Sequence, residues 1–192
     1  ADFYNTVGAT SSLGMRGPVG LAIDAEGRLW VADAGNHRIL RFDGAASKAD
    51  GAAANGVLGQ ANFTTSDTGL SASGLNNPQG VAVDGNGRLW VADTFNNRVL
   101  RFDGAASKTN GAPANGVLGQ TGFTSKTIDQ ISIPFGVAVD SSGRVWVVNN
   151  TASTLIATSA VLRFDNAASK DNGTAPDGIL GTTTGSGITA NR

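Results

Sequence analysis

The sequence predicts an all-β protein on three observations. One unit recurs three times along the chain, each copy alternates apolar and polar residues at the two-residue period of a strand, and helix-favouring charged residues are scarce. Of 192 residues 27 are Gly, about twice the usual ~7%, while the chain has a single Glu (Glu26). Such a composition favours turns and short strands over helices.

Each copy begins with a first strand, PVGLAID at 18–24, which returns as PQGVAVD at 78–84 and PFGVAVD at 134–140. An Asp-x-x-Gly turn closes it (Asp24 to Gly27, Asp84 to Gly87, Asp140 to Gly143), with Asp and Gly at the ends that a tight hairpin turn prefers. The second strand follows as Arg-Leu/Val-Trp-Val, and the third ends in Leu-Arg-Phe-Asp at 40–43, 100–103 and 162–165. An Ala-Ala-Ser-Lys segment then reads as a helical turn capped by Asp43, Asp103 and Asp165. A short Gly-Val/Ile-Leu-Gly fourth strand ends the unit. Trp30 to Trp90 is 60 positions and Trp90 to Trp146 is 56, so the unit is about 60 residues long. Four antiparallel strands repeated in tandem are the pattern of a β-propeller blade.

The string PQGVAVDGNGRLWVADTFNNRVLRF at 78–102 closely resembles an NHL repeat, and residues 17–42 resemble it as well, including Asn36-His37-Arg38. The third unit keeps the pattern from Pro134 to Trp146, then departs: Asn149-Asn150 stand where Asp-Thr is expected and the Asn-x-Arg is gone. The resemblance implies NHL-like blades. Propellers close with about four to eight blades. Three units are therefore half of a six-bladed ring, or part of a larger or self-assembled array. The expected organisation is a single array over residues 1–192: a lead-in at 1–16, blade 1 at 17–60, an interblade loop and blade 2 at 61–120, an interblade loop and blade 3 at 121–181, and a tail at 182–192.

Strand alternation sorts the loops onto two faces. The first-to-second and third-to-fourth loops are near-copies in all three units and read as structural. The second-to-third and interblade loops differ in length and sequence, so a recognition surface is expected there. Its candidate residues are Phe63, Phe95, Phe123, Thr151, Thr154, Leu155 and Ile156, the last four in a six-residue insertion between the second and third strands of the third unit. Asp33, Asn36, Asp93 and Asn96 are read as turn residues, and Arg38 and Arg98 as partners for a neighbouring blade's Asp. The row Arg41, Arg101, Arg163 reads as a surface stripe balanced by Asp43, Asp103 and Asp165, and the three tryptophans as core or interblade packing.

Catalytic and metal chemistry is thinly represented. The absence of Cys excludes disulfides and thiolate metal sites, and His37, the single histidine, occupies a position where the second unit has Asn97. The resemblance extends to propeller lyases that depend on His and to lactonases that hold a divalent cation, but their site residues are not recognisable here. A ring of the repeated Asp residues around a channel would suit calcium, yet their equal use in every unit favours turn capping. No cofactor and no metal site is therefore expected. A net charge of −1 gives no electrostatic case for nucleic acid, and no apolar run is long enough to span a membrane. The sequence is read as a non-enzymatic, protein-binding scaffold whose partners include copies of itself, placed outside the cell, at the cell surface or in the periplasm; the alternative is a lactonase-like or lyase-like propeller enzyme completed by further blades.

Overall fold

The computed structural model describes residues 10–128, 130–150 and 159–181. Among these, twelve strands form three four-stranded antiparallel sheets, each a simple meander in chain order. The first sheet comprises β1 (Pro18–Ile23), β2 (Leu29–Asp33), β3 (Arg38–Phe42) and β4 (Gly56–Leu58). The second comprises β5 (Pro78–Val83), β6 (Leu89–Asp93), β7 (Arg98–Phe102) and β8 (Gly116–Leu118). The third comprises β9 (Pro134–Val139), β10 (Val145–Asn149), β11 (Ala160–Phe164) and β12 (Gly178–Leu180). These are the expected propeller blades.

Each β1–β2-type hairpin is built by its aspartate. Asp24 Oδ1 accepts the backbone N–H of Glu26 and Arg28, while Oδ2 accepts Arg28 Nε and the Trp30 indole N–H. Asp84 and Asp140 repeat the Arg and Trp contacts in the next two blades. Gly27, Gly87 and Gly143 complete these turns at positive φ, where a side chain would be strained.

The Ala-Ala-Ser segment is a short 3-10 turn in every blade, but its aspartate does not cap it. Gly44, Gly104 and Asn166 occupy the N-cap in the left-handed region, with no side-chain cap bond. Asp43, Asp103 and Asp165 instead pair with Arg41, Arg101 and Arg163 on the preceding strand. The arginine two residues back, with its guanidinium within reach, competes for the carboxylate better than a backbone N–H does.

The core lies between blades. Trp30, Ala32, Ile39 and Leu58 pack against Leu89, Val91, Leu100 and Phe102 of the second blade. The second blade's opposite face, with Trp90, Val99 and Leu118, packs in the same way against Val145, Val147, Leu162 and Phe164. Inner strands meet closely at glycines: a Cβ on Gly20 would strike the Gln79 carbonyl, and one on Gly80 would lie 3.0 Å from Gly136 Cα. Burial of these apolar side chains, at roughly 25 cal/mol per Å², is what holds one blade to the next.

Polar contacts fix the register of each joint. Arg41 donates across to the Ala106 carbonyl, and Arg101 to the Ala168 carbonyl. The row is thus more than a surface stripe, because each guanidinium spans to the following blade. The Val57 N–H donates to Asn110 Oδ1 at 3.1 Å, and the Val117 N–H to Asn172 Oδ1 at 3.2 Å.

Candidate functional site

The second-to-third loops and interblade loops gather on one face, held there by a repeated buried cluster. In the first blade Asp33 Oδ2 accepts Arg38 Nε at 2.7 Å and Asn36 Nδ2 at 2.9 Å, while Oδ1 accepts the Arg16 N–H at 2.6 Å. Asp93 repeats this with Arg98, Asn96 and the Asn76 N–H. Both ion pairs are fully buried. Arg38 and Arg98 therefore pair with the Asp of their own blade, not of a neighbour: register places Arg38 directly opposite Asp33 and Arg98 opposite Asp93 in the antiparallel ladder.

The rest of each guanidinium ties the loops down. Arg38 donates to the carbonyls of Ser11, Gly14 and Phe63, and Arg98 to those of Ser71, Gly74 and Phe123. Burial pushes the Asp93 carboxyl up, against the pull of Arg98 and of the three donors around it. In the third blade Asn149 faces Ala160 in this register, and its Oδ1 takes the Ser132 N–H at 2.6 Å. Both charges are lost together there, which avoids leaving one buried alone.

Between the second and third blades this face opens into a groove of about 410 Å³, lined by Asn76, Phe95, Asn97, Lys126, Ile128 and Ile133 among others. Phe95 is 50% exposed and Ile128 45% exposed. Phe95 sits in the 3-10 turn Thr94–Asn96. The matching residue in the first blade is Gly35, where a Cβ would come within 2.6 Å of the Arg16 carbonyl. The repeat is thus broken at one spot by an exposed aromatic ring with an aliphatic side chain and a lysine beside it. An arrangement of this kind accommodates an apolar side chain next to a negative charge.

Of the residues expected to bind, Phe95 alone lies in this groove. Phe63 and Phe123 are half-buried against the blade cores, and their carbonyls hold Arg38 and Arg98. Thr151, Thr154, Leu155 and Ile156 lie outside the described residues. Lys126 and Ile128 were missed by sequence reasoning, and the one signal pointing to them was the differing interblade loop.

His37 has a structural post. It adopts a left-handed conformation, and its Nδ1 accepts the Asn77 N–H of the next blade at 3.0 Å; Asn97 Oδ1 does the same for the Ile133 N–H. Burial, aided by Arg16 and opposed by Asp33 and Asp67, lowers the imidazole below its usual 6.5.

On the opposite face a cleft of about 390 Å³ is bordered by Asp24, Glu26 and Asp84. The oxygens of Asp24 and Asp84 are already engaged by their own turns. Burial raises both carboxyls, but the indole, backbone and arginine donors outweigh it and hold them below the usual range. Among the described residues no group of three or more His, Cys, Asp or Glu is placed to hold a metal ion, and no helix is long and apolar enough to cross a membrane.

Known proteins resemble parts of this arrangement. A peptidyl-alpha-hydroxyglycine alpha-amidating lyase of Caenorhabditis elegans is 33% identical over 90 residues, covering 45% of this chain and 22% of the lyase. A gluconolactonase from Xanthomonas campestris matches with a TM-score of 0.51 and 18% identity, over 81% of this chain and 46% of the lactonase. The extracellular domain of a hybrid two-component system from B. thetaiotaomicron matches with a TM-score of 0.52 and 14% identity, over 93% of this chain and 20% of that one. The chain spans under half the length of each, and at these identities the structural likeness concerns the fold. The NHL repeat model matches residues 15–42 and 75–102, the two segments that carry the buried Asp–Asn–Arg cluster. With those repeats set in stacked four-stranded blades, the chain carries two NHL repeats in a β-propeller-type fold.

Proposed function

We propose that this chain is a non-enzymatic, protein-binding scaffold, positioned outside the cell or at its surface, that associates with copies of itself. One observation carries the reading. Among the described residues, the outer faces of the first and third blades expose apolar residues that the internal joints bury: Leu21 is 65% exposed against 6% for its counterpart Val81, and Leu180 59% against 3% for Leu118. Uncovered apolar surface of this kind marks an association site. The groove at Phe95, Lys126 and Ile128 is the proposed contact for other protein partners.

The similarity to the lyase over 90 residues favours a second reading, an enzyme whose site needs residues beyond these blades. Against it, His37 is committed to the joint between the first two blades. Light scattering across a concentration series tests the scaffold: particles of two or more 19.3 kDa chains are expected. A monodisperse monomer refutes self-association. Lactone turnover, or a rise in Tm on adding calcium or zinc, supports the enzyme instead.

A further inference from the structure

We infer that the two uncovered faces recognise each other, so that the third blade of one copy seats head to tail on the first blade of a second copy. The inference rests on the self-association reading and specifies its geometry. The same joint occurs twice inside the chain, and its two halves occur a third time with no blade against them among the described residues. The third blade presents Trp146, Val148, Val161 and Leu180 where the earlier blades use Trp90, Ala92, Val99 and Leu118 to grip their successor. Val148 and Leu180 are 43% and 59% exposed. The first blade presents Leu21, Ile23 and the half-buried Leu29 where the second uses Val81, Val83 and Leu89, while Phe42, at the position of Phe102, is already buried within its own blade's cluster. Ile23 is 71% exposed.

Among the described residues, the polar groups that cross the internal joints have no cross-blade partner at the outer faces, and they are complementary. Arg41 and Arg101 reach the carbonyls of Ala106 and Ala168 on the following blade, whereas Arg163 is confined to its own blade, at Asp165 and at 3.4 Å from the Asp177 carbonyl. The matching carbonyl on the first blade is that of Ala46. Asn110 and Asn172 take the Val57 and Val117 N–H groups; the matching pair is Asp50, an exposed acceptor, and Ile179 on β12. A head-to-tail contact satisfies both sets at once. Like faces meeting would set Arg163 against Arg163 and bring no acceptor to either. Two such joints close a six-bladed ring of two copies, and a joint that does not close extends the array.

Two double variants test this, because all four altered residues are exposed in the single chain. Leu21→Asp/Ile23→Asp disables the first-blade face, and Val148→Asp/Leu180→Asp disables the third-blade face; circular dichroism checks that each stays folded. The wild type is expected to assemble, each variant alone to be a monomer, and an equimolar mixture to form a dimer through the one intact joint. Adding Asp50→Asn to the third-blade variant should leave that mixed dimer intact, since Asn serves at the internal joints, and adding Asp50→Lys should weaken it at least tenfold. If either double variant dimerises alone, or the mixture stays monomeric while the wild type assembles, the head-to-tail joint is wrong and self-association stands. A wild type that is monomeric at every concentration overturns both.

Discussion

Arg98 makes four hydrogen bonds from one buried guanidinium, to the Asp93 carboxylate and to three loop carbonyls. Removing its counter-charge alone strands it in the interior, so Asp93→Asn should cost about 3–5 kcal/mol in denaturant unfolding. The double change Asp93→Asn/Arg98→Ala reproduces the Asn149 and Ala160 of the third blade and should cost less than the sum of its parts by more than about 1 kcal/mol. Additive costs would show that the pair is not coupled. His37 acts by a different balance. Its folded-state value lies below 6.5, so on acidification the unfolded chain takes up the proton first. The stability His37 contributes is complete above the unfolded value and declines as pH falls through 6.5 towards the folded one. His37→Asn installs the acceptor that Asn97 already provides at the next joint. Between pH 7.5 and 5.5 the wild type should lose stability relative to this variant; parallel melting curves would refute it. A lost neutral hydrogen bond at this site is worth about 1 kcal/mol.

Strands and their turns were legible because their causes are local. The two-residue period, the Asp-x-x-Gly turns and the Gly-flanked fourth strands all fall where the pattern placed them. The Asp43 cap was not legible, since the choice between a backbone N–H and Arg41 is made by strand geometry. The reach of Arg41 to Ala106 was not legible either, because it joins residues 65 positions apart. In the candidate groove Phe95 could be picked out as an aromatic breaking the repeat, whereas Lys126 and Ile128 sit on a loop with no period to follow. The inner strands give an element-scale prediction. A Cβ on Gly80 would meet the Phe135 carbonyl oxygen at 2.5 Å and the Val137 nitrogen at 2.9 Å, so the second and third blades must part to admit it. Gly80→Ala should cost roughly 1–3 kcal/mol by overpacking. Gly85→Ala, with nothing within 4 Å, should change stability by no more than about 0.5 kcal/mol. Equal effects of the two substitutions in thermal unfolding would disprove close stacking at Gly80.

At the scale of the whole molecule, the three tryptophans report on the joints. Trp30 and Trp90 are buried under the next blade, and Trp146 is half-buried. Acrylamide should quench one tryptophan in the monomeric Leu21→Asp/Ile23→Asp variant, a component that Trp146→Phe removes, and none in a wild-type assembly closed as a ring of two. Quenching of Trp146 in the assembly would place that face outside the joint. The same three residues mark what each level of description decides. Sequence alone determined the number of blades, the strand order within each and the hairpin turns, because periodicity and turn chemistry act over a few neighbouring residues. It could not tell Trp146 from Trp30 or Trp90, which stand at one position of one motif. Only the tertiary structure decided which of these identical positions became core and which became surface, because burial belongs to the blade that lies opposite and not to the residue itself.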